Sequence, residues 1–120
     1  MIIVTGRLAT DPQDVHQLLA DLKDGVERSR QEDGCQFYSF ALEDEQLGAL
    51  LTLQIWRDEE ALAAHLCSPE IAQFISKWTD RYTVETKLYD ATNQRPVGQW
   101  HNPELEGLIQ ASRVASNTED

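Results

Sequence analysis

The amino-acid sequence predicts an α+β fold, a ferredoxin-like β-α-β-β-α-β order with helices on one face of a four-stranded antiparallel sheet. Three observations predict it. Alternating β-branched segments stand at both ends of residues 1–91. Two strand-like runs lie beside each other in the middle, joined by a short polar turn. Stretches with the apolar repeat of a helix separate this central pair from the outer strands.

Residues 2–8 alternate as a strand does, with Ile2, Val4 and Leu8 on one face and Ile3, Thr5 and Arg7 on the other. Asp11 and Pro12 then start a helix. The Asp11 carboxylate accepts free backbone N–H groups, proline fits the first helical position, and Asp14 complements the positive end of the helix dipole. Val15, Leu18, Leu19, Leu22 and Val26 form its apolar stripe, and Gly34, tolerant of positive φ, ends the charged stretch behind it. Residues 35–42 and 49–56 are the central strands, with residues 43–48 as the hairpin connection. A second helical region opens at Asp58, and Leu62, His65 and Leu66 share one of its faces. Ser68 and Pro69 cap a further helix that carries Ile71, Phe74, Ile75 and Trp78. In the last strand Tyr82, Val84, Thr86 and Leu88 alternate with Arg81, Thr83, Glu85 and Lys87.

Both central strands are apolar on two sides. With Leu51, Leu53 and Ile55 turned to the helices, Leu50, Thr52, Gln54 and Trp56 turn to the open face. Phe37 shares a side with Cys35 and Ser39, and Tyr38 with Phe40 and Leu42. A sheet covered on one face should be polar on the other. This one is not, which predicts that the open face meets a second copy in a homodimer. Residues 92–120 read as a C-terminal arm outside the 1–91 domain, with a short helix opened by Pro103 and Glu104 and a disordered end over residues 115–120.

Composition sets limits on partners. The chain has 120 residues, one domain's worth, with 10 Lys and Arg against 21 Asp and Glu, a formal net charge of -11 at pH 7. That balance argues against nucleic acid or an anionic membrane surface as partner, because both repel it. The longest apolar runs fall well short of a membrane span, and the first residues carry no basic leader, so the expected location is cytoplasmic. Cys35 and Cys67 form no CxxC and no disulfide framework, and read as thiols in a reducing compartment.

Catalytic signatures of the phosphate-binding, dinucleotide, serine-hydrolase and zinc-protease kinds are missing, and no metal-ligand spacing occurs. His16 and His101 read as surface residues. His65, on the apolar stripe, reads either as a structural histidine bonded to a backbone carbonyl or as a general base facing a cavity. Trp56 reads equally as a dimer-core residue or a pocket wall, and Phe74 with Trp78 as a core pair.

Residues 34–38 (GCQFY), 53–56 (LQIW), 61–69 (ALAAHLCSP) and Phe74 together make the chain similar to the antibiotic biosynthesis monooxygenase domain family, from the first strand to about Tyr89. The resemblance implies a dimeric α+β barrel of two ferredoxin-like subunits, sheet against sheet, each with a pocket between sheet and helices. It also implies a cofactor-independent monooxygenase that oxidises a small electron-rich aromatic, of the quinol or anthrone kind, with molecular oxygen. In that reading His65 is the base, Arg7 steadies the anion, and Trp56, Tyr38 and Phe74 form the walls. Haem-degrading relatives carry asparagine, tryptophan and an axial histidine where this chain has Gly6, His65 and Ile75, so no cofactor is expected. Two other classes stay open on the sequence: a non-catalytic dimeric binding or association module, and an isomerase or lyase acting on a small carbonyl compound.

Overall fold

A computed structural model gives the fold, and it describes residues 1–99, 103, 104 and 107. Most of the arm's expected short helix, its expected disordered end and His101 lie outside the described residues. Strand β1 (Ile2–Thr10) leads through a 3-10 turn, Pro12–Asp14, into α1 (Val15–Asp24) and α2 (Val26–Arg30). The hairpin β2 (Cys35–Asp44) and β3 (Ala49–Trp56) follows, then α3 (Glu59–Leu66), α4 (Pro69–Trp78) and β4 (Tyr82–Asp90). The sheet order is β2-β3-β1-β4, all neighbours antiparallel, which is the ferredoxin-like arrangement.

Local signals operate where the sequence placed them. The Asp11 carboxylate accepts the Gln13 N–H, Asp58 accepts the Ala61 N–H, and the Ser68 hydroxyl accepts the Ile71 N–H, each saving an orphan donor at a helix start. The first helical stretch differs in one respect: it divides at Gly25 into α1 and α2 instead of running unbroken toward Gly34. Glycine weakens the helix at that point, and the chain turns to lay Val26 and Ser29 into the core.

Helices cover one face of the sheet. Between the two layers lie Ile2, Leu8, Val15, Leu18, Val26, Tyr38, Phe40, Leu50, Trp56, Leu62 and Trp78, all buried. One expectation is overturned here. Leu50, Thr52, Gln54 and Trp56 face the helices, while Leu51, Leu53 and Ile55 lie on the open face. The cause is cross-strand pairing. Directly opposed residues share a face, and Ile2 lies opposite Trp56, Val4 opposite Gln54 and Leu8 opposite Leu50. The face that β1 buries therefore dictates the face that β3 buries, a constraint that strand periodicity alone does not contain when both sides are apolar.

The open face keeps its apolar character. Phe37, Ile55, Ile3 and Tyr89 form one continuous cross-strand row, with Phe37 46% and Tyr89 50% exposed. Leu53 and Leu51 extend the patch along β3, and Arg7 and Glu85 close its far end. After β4, the Ala91 N–H bonds the Met1 carbonyl and the chain passes beside Ile3 and Ile55.

Gly6 is the tightest point of the sheet. A Cβ there would lie 2.1 Å from the Glu85 carbonyl oxygen and 2.7 Å from the Thr86 Cα, both backbone atoms of β4. No asparagine or other side chain fits without moving a strand. Gly6→Ala is expected to destabilise the fold by about 2 kcal/mol or more, read as a lowered midpoint in urea denaturation; an unchanged midpoint would show that β4 yields freely.

Candidate functional site

The helix-covered side of the sheet leaves a hollow. Helices α3 and α4 reach over the sheet but do not close against β4, and a cavity of about 400 Å³ remains between them. Its inner wall is Tyr38, Phe40, Thr52, Gln54 and His65; Phe74 and Tyr82 flank it. Leu66, Ile75, Val84 and Leu88 also line it and stay exposed, marking its mouth. The size and mostly apolar lining, with a few convergent polar groups, suit a small organic ligand.

His65 stands in the inner wall beside Tyr38, and only 2% of it is exposed. Helix α3 carries it on the side turned to the sheet. Its ring stacks on Trp56 with centroids 4.7 Å apart and meets the Tyr38 ring edge-on at 5.0 Å. Nδ1 lies 3.0 Å from Glu32 Oε1 and 3.3 Å from Oε2. A carboxylate only accepts, so Nδ1 carries the hydrogen and, in the neutral ring, Nε2 is the bare acceptor. The structural reading of His65, a bond to a backbone carbonyl, is thus replaced by a carboxylate–imidazole pair.

Glu32 reaches His65 because its loop is pinned to the start of α3. Gly34, at φ +82°, packs so closely that a Cβ would lie 2.5 Å from the Ala61 Cβ. The Gly34 carbonyl accepts the Arg57 N–H at 2.8 Å, and the Arg57 guanidinium grips both oxygens of Asp33. The Ala61 N–H and Arg57 together hold the Asp58 carboxyl below the usual carboxylate range. Sequence reasoning missed Glu32, which stands in a run of charged residues. Its only signal is Gly34 two positions on, the mark of a loop that turns back.

The expected residues divide. Tyr38, Phe74 and His65 come together around the cavity. Trp56 does not line it: the indole is fully buried behind the imidazole and serves as its platform. Arg7 lies on the opposite face of the sheet, exposed, with Nε 2.8 Å from Glu43 Oε2. That ion pair and the intervening sheet separate it from His65. In its place the cavity presents Thr52 and Gln54, polar and buried. Among the described residues no group of three or more His, Cys, Asp or Glu is placed to hold a metal ion, and no helix is long and apolar enough to cross a membrane.

Comparison with known proteins agrees with this architecture. The profile of the antibiotic biosynthesis monooxygenase family matches residues 1–77. The chain belongs to that family. The uncharacterized protein sll1783 of Synechocystis sp. is 30% identical over 90 residues, covering 73% of this chain and 61% of its own length. A Deinococcus radiodurans structure provisionally assigned as an antibiotic biosynthesis monooxygenase superimposes with a TM-score of 0.72 at 26% identity, covering 80% of this chain and 97% of that one. A Bacteroides thetaiotaomicron structure with the same provisional assignment gives 0.64 at 28% identity, covering 80% and 90%. These likenesses carry the fold and family, whereas chemistry resides in the site.

Burial pushes the Tyr38 phenol up to about 12 from the ordinary 10.0, against the opposing hydrogen bond with Ser29. A raised folded value means that Tyr38 favours folding fully below pH 10 and progressively less as pH climbs toward 12. Tyr38→Phe is therefore expected to raise the midpoint of alkaline unfolding, followed by circular dichroism between pH 9 and 12. An unmoved midpoint would mean that Tyr38 ionises without strain.

Proposed function

We propose that this protein is a small cofactor-independent monooxygenase that oxidises an electron-rich aromatic, quinol- or anthrone-like, with molecular oxygen. The observation that supports it best is the buried His65, its Nδ1 held by Glu32 and its ring set in the wall of an aromatic cavity. Oxygen reacts slowly with closed-shell organics but accepts an electron from an electron-rich enolate or phenolate. The protein's work is then to hold the ring, take a proton and keep water out.

For a substrate with an acidic CH2 beside a carbonyl the steps balance. His65 Nε2 takes one C–H proton, and the carbanion passes an electron to oxygen. The resulting radical pair joins as a C–O bond, and protonation gives a hydroperoxide. The imidazole then removes the second C–H proton as the O–O bond breaks, and hydroxide leaves as water. In sum CH2 and O2 become C=O and H2O. Glu32 stabilises the imidazolium formed on the way, and Tyr38 and Phe74 supply aromatic surface in the cavity wall.

Oxygen-electrode assays with anthrones, quinols and catechols test this reading. His65→Gln is expected to lower uptake at least 100-fold, within the roughly 10²–10⁴-fold range of a lost general base. Glu32→Gln is expected to lower it about tenfold, as loss of a residue that orients a functional imidazole does. Uptake by His65→Gln equal to that of the parent protein would remove the base, and so the mechanism.

We further propose that the open face pairs with a second copy, sheet against sheet. Members of the family commonly form homodimers, and the row Phe37, Ile55, Ile3 and Tyr89 is too apolar to favour solvent. Sedimentation velocity is expected to give a dimer for the parent protein and a folded monomer for Leu53→Asp. A parent protein that sediments as a monomer at high micromolar concentration would end that part of the reading.

A further inference from the structure

The polar part of the cavity has a hydrogen-bond direction set by chemistry, and it leads to Gln54. This residue is 8% exposed and sits on β3 between Val4 of β1 and Tyr38 of β2. The Trp56 indole N–H, a donor only, meets its carboxamide at 3.2 Å, so the atom it meets is the carbonyl Oε1. The amide nitrogen is thereby turned the other way. It donates to Thr52 Oγ1 over a long 3.4 Å, while the Thr52 hydroxyl hydrogen is committed to the Ser39 carbonyl at 3.0 Å. One N–H of Gln54 is engaged in that long bond. The other belongs to a side chain that lines the cavity.

Two of the cavity's inner polar groups therefore have opposite character. His65 offers an acceptor at Nε2 because Glu32 occupies Nδ1–H, and Gln54 offers a donor because Trp56 occupies Oε1. The same tryptophan that supports the imidazole also orients the amide.

We propose that Gln54 is a ligand-binding residue, its amide N–H holding a carbonyl or enolate oxygen of the occupant while His65 receives the proton. It thus supplies the anion-steadying donor that Arg7, on the far face, does not. The ligands selected are flat ring compounds with an acceptor oxygen, in preference to hydrocarbons of the same shape. The inference rests on the aromatic-cavity reading above.

Equilibrium dialysis with two oxygen-stable tricyclic probes, 9-fluorenone and fluorene, separates the two readings. The parent protein is expected to bind fluorenone more tightly than fluorene. Gln54→Glu keeps an acceptor for Trp56 but loses the amide N–H, and Gln54→Met is near in volume with no donor. Each is expected to weaken fluorenone about tenfold, the worth of one lost buried hydrogen bond, and to change fluorene less than about threefold. Circular dichroism checks that each variant is folded, and either folded variant decides. Equal weakening of both probes, unchanged fluorenone binding, or no preference in the parent protein overturns the role of Gln54 alone. A parent protein that binds neither probe overturns the aromatic cavity as well.

Discussion

The antiparallel register between β1 and β3 decides which side of this molecule carries chemistry. Ile2 opposite Trp56, Val4 opposite Gln54 and Leu8 opposite Leu50 place all four even-numbered residues from Leu50 to Trp56 beneath the helices. A slip of one residue would turn Trp56 and Gln54 outward and bring Leu53 and Ile55 in. The cavity would then have no indole behind His65 and no amide on its floor. Gly6 secures the arrangement from the other side of β1, since only a residue without a Cβ lets β4 approach to its observed distance.

From that register the site follows in layers. Trp56 forms the base of the stack, His65 lies on it at 4.7 Å, and Tyr38 stands edge-on to both. Glu32 reaches in from the α2–β2 loop, which Gly34, Asp33 and Arg57 clamp to the start of α3. The imidazole is thus held from beneath by packing and at its edge by charge. Orientation by surrounding groups is what a proton-transfer residue requires, because a misplaced base loses reach and a mobile one pays the ordering entropy during reaction.

Much of the fold was legible because its signals are local. Asp11 with Pro12, Asp58 with two acids behind it, and Ser68 with Pro69 each announce a helix start through backbone N–H groups within the next three residues. The strands declare themselves by alternation, and the turn between β2 and β3 by its polar residues and Gly48. The candidate site was legible in part. His65, Tyr38 and Phe74 stand out as an imidazole and aromatics on apolar stripes, and they do meet. Glu32 was hidden among seven consecutive residues of mainly charged character, and Gln54 was assigned to the wrong face because both faces of β3 are apolar. Arg7 looked available only while its neighbour across the sheet, Glu43, was unknown.

The amino-acid sequence by itself determined the element order, the helix caps, the acidic surface and the membership of an imidazole in an apolar stripe. All of these depend on residues within a few positions of one another, where rise, period and capping geometry are set by the backbone. The tertiary structure alone decided which face of β3 is inside, which carboxylate holds His65, and that Trp56 supports the site instead of lining it. Those outcomes join residues 33 positions apart, as Glu32 and His65 are, or 54 apart, as Ile2 and Trp56 are across the sheet. Contacts over such distances arise from strand register and loop closure, and no local period encodes them.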